Sequence, residues 1–274
     1  MNPELTDIGV NLLHPQFQTD RAEVIERARL AGVTRMLVTA TNLDETEAAI
    51  ELCENCGAGL WCTAGVHPHD AKAVGHGWQA RLRQLVRHPK VKAVGETGLD
   101  FYRNFSPAER QIEVFRSQLA IAGEIGKPVF VHDRDSAGCV GELLNEHAGR
   151  LPGVVVHCFT GNRQDLLSYL DAGYHIGVTG WVCDKRRGEA LRELVPLIPL
   201  ERLLIESDAP FLRPHNAPQT EGRQQENPEA TKRRNEPALL GYVVEQLAQL
   251  YGSGVDDIAE ACSSNAARLF QLAD

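Results

Sequence analysis

The chain is expected to be an α/β protein, a single (β/α)8 TIM barrel spanning residues 1–274. Three observations predict it. Eight short apolar runs rich in β-branched residues alternate with longer segments of helical periodicity. Strands separated by helices imply a parallel sheet with crossover connections, and 274 residues suit eight βα units, whose barrel typically takes about 250. No Gly-x-Gly-x-x-Gly follows the first run, which removes the main support for the alternative, an open dinucleotide-binding sheet.

The expected strands are Leu5–Val10, Val33–Ala40, Leu60–Val66, Val91–Gly95, Pro128–Val131, Val154–His157, Tyr174–Thr179 and Leu203–Glu206. Among the helices between them, Ser106-Pro107-Ala108-Glu109 reads as a capping box with Pro at the first helical position. Ile112, Phe115, Leu119 and Ala122 follow it on one face. Asn42-Leu43-Asp44-Glu45 opens another helix with similar chemistry. Leu240, Val243, Val244 and Leu247 form a late apolar stripe. Between Pro210 and Asn235 four prolines stand among polar residues, a long loop after the eighth strand of a kind that is usually functional or mobile.

Composition excludes several classes. No apolar run is long enough to cross a bilayer, about 18 residues. The polar start Met1-Asn2-Pro3-Glu4 does not read as a signal peptide. Seven scattered cysteines argue against a disulfide framework; Cys53-x-x-Cys56 has no second pair at metal spacing and lies in a helical pattern. A cytoplasmic protein, monomeric and without a membrane partner, is the expectation. The net charge of −9 opposes broad nucleic-acid binding, so such a substrate needs a local basic patch or a narrow end-binding pocket.

In a βα barrel the chemistry sits at the carboxyl ends of the strands. The polar residues closing the runs are Asp7 and Asn11, His67 and His69, Glu96 and Asp100, His132 to Asp135, His157, and Glu206 to Asp208. Glu96, His132, His157 and Asp208 lie one or two βα units apart and should meet at one rim. Two imidazoles and two carboxylates suit a shared divalent metal, Zn²⁺, Mn²⁺ or Mg²⁺, with the hard oxygen donors favouring the last two. Buried charges clustered in this way are costly unless paired or metal-bound.

Asp7-Ile8-Gly9-Val10-Asn11-Leu12, Gly65-Val66-His67-Pro68-His69, Gly95-Glu96-Thr97-Gly98-Leu99-Asp100, His157-Cys158-Phe159-Thr160-Gly161, Glu206-Ser207-Asp208-Ala209-Pro210 and Arg234-Asn235-Glu236-Pro237 resemble, in order and over nearly the whole chain, the TatD family of metal-dependent deoxyribonucleases. The resemblance implies an amidohydrolase-type TIM barrel, metal ligands at Glu96, His132, His157 and Asp208, and 3′→5′ exonuclease action on single-stranded DNA or RNA with Mg²⁺. One departure stands out. The commoner family pattern places His-x-His at the end of the first strand, where this chain has Gly9 and Asn11. Gly9 cannot ligate and Asn11 offers only an amide oxygen, so a full two-metal site is in question, although bacterial members share this variant.

For phosphodiester hydrolysis a water activated by the metal is expected to attack phosphorus in line. Asp208 and Glu96 are the expected catalytic carboxylates, Asp208 taking the proton. His67, Arg134, Arg234 and Asn11 are the expected substrate contacts; arginine suits bidentate capture of phosphate. Lys232 and Arg233 extend the Arg234 patch, and Glu236 is expected to orient a ligand. Phe101, Tyr102 and Phe105 beside Arg103 could stack unpaired bases. Two rival functions remain open at this stage: hydrolysis of a small amide, lactone or phosphoester, and a non-catalytic barrel that serves as a binding module.

Overall fold

The computed structural model describes residues 4–218 and 234–272. Its strands are β1 (Leu5–Val10), β2 (Val33–Val38), β3 (Leu60–Ala64), β4 (Val91–Asp100), β5 (Val129–Arg134), β6 (Val154–Val156), β7 (His175–Val178) and β8 (Leu203–Ile205). They form one eight-stranded sheet in sequential order, every adjacent pair parallel. The sheet comes round on itself: the Asp208 amide donates to Gly9 O at 2.8 Å and the Asn11 amide to Ala209 O at 2.9 Å. The expected barrel is therefore present.

The connecting helices are α1 (Arg21–Leu30), α2 (Leu43–Asn55), α3 (Trp78–Val86), α4 (Ala108–Ile125), α5 (Cys139–Asn145), α6 (Arg163–Asp171) and α7 (Glu189–Leu194), with α8 (Leu240–Tyr251) and α9 (Val255–Phe270) after the eighth strand. The main core lies between strands and helices, where Phe115, Leu119 and Ala122 of α4 and Val243, Val244 and Leu247 of α8 are buried as their periodicity requires. A second cluster fills the barrel itself. Ile8, Leu37, Phe130, Val155 and Leu204 meet Ala266 and Phe270 from the end of α9, so the amino-terminal end is plugged by apolar side chains. Polar residues are left to the carboxyl-terminal mouth.

Two local expectations are corrected. The fourth strand continues past Gly95 to Asp100, because Thr97, Gly98, Leu99 and Asp100 pair in register with Val131 to Arg134 of β5. Ser106 does not cap α4: Pro107 is the N-cap, without a side-chain bond. The Ser106 hydroxyl instead donates to His69 O at 2.7 Å and accepts from the Lys72 amide at 3.0 Å, which ties this loop to the one after β3. At α2 the Asn42 side chain does cap, accepting from the Asp44 and Glu45 amides. Cys53 lies on α2 with Cys56 at its end, and both are free thiols. Part of the long loop after β8, with Lys232 and Arg233, lies outside the described residues.

Candidate active site

Glu96, on β4, is the centre of the mouth. Its Oε1 lies 2.7 Å from His157 Nε2, 3.1 Å from His132 Nδ1 and 3.3 Å from His67 Nε2. The carboxylate is buried, 6% exposed. Burial pushes its carboxyl up, but the attraction of His157 and His67 and the bonds from His132 and His157 outweigh burial and hold it well below the usual carboxylate range. Burial disfavours the charged form of His157 too, yet Glu96 on one side and Glu206 on the other raise its pKa well above the usual value. His132 follows Phe130 by two residues on β5 and so shares its face. The Phe130 ring stacks on His157 with centroids 4.5 Å apart and forms the floor of the site.

This donor set fits a divalent cation. Candidate ligand atoms of His67, Glu96 and His132 lie within 4.8 Å of one another, and His132 Nε2 is a buried nitrogen with no hydrogen-bond partner among the described residues. His157 directs its Nδ1 to Glu206 Oε2 at 3.3 Å, which leaves Nε2 turned toward Glu96 and available as a ligand. His67 differs. Its Nδ1 accepts the His69 amide at 3.1 Å, so the neutral ring carries its proton on Nε2 and faces the cluster as a donor. Burial lowers its pKa despite Glu96, which favours that neutral form. Position alone places His67 with the ligands; its tautomer suits contact with an anionic substrate oxygen.

Asp208 enters from the turn after β8. The Asn11 amide nitrogen donates to its Oδ1 at 3.0 Å. Asn11, expected at the substrate, is thus committed to orienting Asp208. Burial, with repulsion from Glu206 and Glu96 and against the pull of His157 and Asn11, raises the Asp208 carboxyl to about 7. Glu206, to which the sequence assigned no role, closes the eighth run two residues before Asp208. Fully buried, it accepts the Cys158 amide and faces His157. A Cβ at Gly9 would stand 2.4 Å from Glu206 Oε2, and one at Gly177 2.5 Å from Oε1. The strands on either side of β8 therefore each present a glycine to this carboxylate. With Glu206 in its present position a side chain at position 9 would have to displace that carboxylate. Asp100 and His69 form another unassigned pair, 2.7 Å apart, with Asp100 Oδ2 also 3.5 Å from His132 Nε2. Burial raises the Asp100 carboxyl, but the nearby His132 imidazole and the bonds from the Arg103 amide and His69 bring it below the ordinary range.

The two expected arginine clamps part company. Arg134, at the end of β5, stays at the rim with its guanidinium 4.3 Å from the centre of the Tyr102 ring. Arg234 is corrected. It is buried, and its guanidinium bonds Asp20 at 2.9 and 2.6 Å, Glu236 at 2.7 Å and Gln16 O at 2.7 Å. Glu236 also takes Arg27 at 2.7 Å. Both residues bind the connection before α8 to α1, and the Arg234 guanidinium is committed to carboxylates and a carbonyl of the protein rather than offered to a phosphate.

Comparison with known proteins agrees with this arrangement. The family model of TatD-related DNases matches residues 6–271. A protein of Rahnella sp. named 3′-5′ ssDNA/RNA exonuclease TatD is 47% identical over 266 residues, 97% of this chain and 98% of the relative. One of the same name from Edwardsiella piscicida is 46% identical, covering 98% and 100%. Among solved structures, a TatD homologue of Escherichia coli K12 superposes with a TM-score of 0.85 at 30% identity, covering 98% of each chain. An organophosphorus hydrolase from Deinococcus radiodurans, 15% identical with a TM-score of 0.61 over 98% of this chain and 93% of its own, shares the fold alone. With its motifs gathered at one barrel mouth and its whole length matched, the chain belongs to the TatD-related DNase family.

Proposed function

We propose that this protein is a divalent-metal-dependent exonuclease that removes nucleotides from the 3′ end of single-stranded DNA or RNA. The observation that carries the reading is the convergence of His132 and His157 on Glu96. The polarity and substrate follow from relatives that share nearly half of its residues under that activity's name. Glu96, His132, His157 and Asp208 would hold the cation, with Mg²⁺ assigned for the hard carboxylate oxygens. When bound, such an ion polarises a phosphoryl oxygen and makes the attacking water more acidic.

The residues of the chain supply the rest. Asn11 holds Asp208 Oδ1, leaving Oδ2 to take the proton of the attacking water. Glu96 anchors the three imidazoles. His67 Nε2–H and Arg134 donate to the phosphate. A monomer in the cytoplasm completes the proposal; seven free thiols accord with a reducing compartment, and among the described residues no helix is long and apolar enough to cross a membrane.

A 5′-labelled single strand should shorten stepwise from its 3′ end with Mg²⁺, remain intact with EDTA, and resist when the 3′ end is blocked. Asp208→Asn should lower kcat by about 10²–10⁴-fold. If that variant binds the cation by calorimetry and keeps near-normal turnover, Asp208 is not the base.

A further inference from the structure

Bulky apolar side chains are sparsely exposed among the described residues, and three aromatic ones stand at the mouth of the barrel: Tyr102 (64% exposed) and Phe105 after β4, and Phe211 (45%) after β8. Three strands lie between β4 and β8 either way round the eight-stranded closed order, so the loops that carry Tyr102 and Phe211 stand on opposite sides of the barrel mouth. Neither ring is loose. Tyr102 has the Arg134 guanidinium 4.3 Å from its centre. Phe211 meets the His14 ring edge to face at 5.1 Å, and its amide donates to Asp208 O at 2.9 Å. Each platform is also joined by a short stretch of chain to the site: Tyr102 follows Asp100 by two residues, and Phe211 follows Asp208 by three.

An exposed ring backed by a cation or an imidazole is a poor core residue and a good surface for a flat π-system. Bases of a single strand offer such faces in any sequence, whereas bases of a duplex are already stacked. From this arrangement we infer that Tyr102 with Arg134, and Phe211 with His14, are two base-stacking platforms that hold the nucleosides on either side of the scissile phosphodiester. Arg134 serves twice, stacking under Tyr102 and facing the phosphate between the two bases. The preference for a single strand is then built into the mouth, because only unpaired bases can turn away from each other onto opposite walls. The inference rests on the nuclease reading and names the groups that select its substrate.

Two measurements test it. In steady-state cleavage of a single-stranded oligonucleotide, Tyr102→Ala and Phe211→Ala should each raise KM by about 5- to 150-fold, the range for losing one stacked base, with kcat changed less than about threefold. Tyr102→Phe and Phe211→Tyr should restore KM. An abasic residue at the 3′-terminal or penultimate position should cost the parent a similar factor and cost the matching alanine variant nothing more. Separately, 2-aminopurine at either position should be quenched on binding the parent and not the matching variant. Unchanged KM in both alanine variants, or abasic and alanine losses that multiply, would overturn the platforms while leaving the nuclease intact. Quenching by a parent that does not cleave would keep the platforms and sink the nuclease reading.

Discussion

Asp7 lies below the mouth with half of its carboxylate provided for. Oδ1 accepts the Gly9 amide at 3.1 Å and the Ser207 amide at 2.9 Å, while Oδ2 is buried with no partner among the described residues. Burial is the main reason its carboxyl rises to about 7, Glu206 adding repulsion against the hydrogen bonds from Ser207 and Gly9 that favour the charged form. In the unfolded chain it should titrate near 4. The folded state therefore holds the proton more tightly, and stability falls as pH rises from about 4 to about 7, with no further loss above that range. Three pH units correspond to roughly 4 kcal/mol. Asp7→Asn removes the titration and keeps an oxygen for the two amides, so its stability relative to the parent should improve by that order between pH 4 and pH 8. Urea unfolding in EDTA at the two pH values measures this; a constant difference would mean that Asp7 ionises in the folded protein as it does in water. The reading of position 9 also belongs to this scale. In the sequence Gly9 is a missing ligand, and only with Glu206 folded against it does it become the space that a carboxylate occupies.

Elements were legible where periodicity alone decides them, and less so where a single side chain chooses between partners. All eight expected strands are present because each is an apolar run buried on both sides by neighbours and helices. Glu96, His132 and His157 were legible as well, since strand ends in a barrel must converge. Arg234 was not. In sequence it ends the basic run Lys232-Arg233-Arg234, which reads as a patch for phosphate. Its true partner, Asp20, is 214 residues away at the start of α1, and nothing local signals that pairing. Ser106 failed for the same reason, its hydroxyl taken by the loop after β3. The Arg234 network makes a prediction at this scale. Arg234→Ala takes one of two cations from Asp20 and Glu236, Arg27 remaining, and removes a guanidinium lying 5.0 Å from the Phe17 ring, so the cost should stay at or below about 3–5 kcal/mol, that of a buried ion pair broken from one side. Thermal and urea unfolding should show a loss of up to that size, with KM for an oligonucleotide near the parent value at a temperature where the variant is folded. Normal stability with a raised KM would return Arg234 to the phosphate.

Over the whole molecule, the plugged amino-terminal end and the polar mouth divide the work between stability and chemistry. The apolar plug of Leu37, Leu204 and Phe270 can be packed for stability alone. The mouth gathers Glu96, Asp100, Glu206 and Asp208 in a chain already carrying a net charge of −9, and the imidazoles around Glu96 offset only part of that repulsion. A cation that binds the folded mouth and not the unfolded chain must then stabilise the entire domain, since ligand binding to the native state alone adds RT ln(1 + [L]/Kd), about 2.7 kcal/mol at one hundred times Kd. Scanning calorimetry should show a melting temperature several degrees higher in saturating Mg²⁺ than in EDTA for the parent. Glu96→Gln and His132→Ala should melt at the same temperature with and without the ion, while Arg134→Ala should keep the full Mg²⁺ increment, because its side chain stands at the rim over Tyr102 and outside the donor set. A parent whose melting does not respond to Mg²⁺, or a Glu96→Gln variant whose response matches it, would place the cation elsewhere and leave Glu96 as only the anchor of its three histidines.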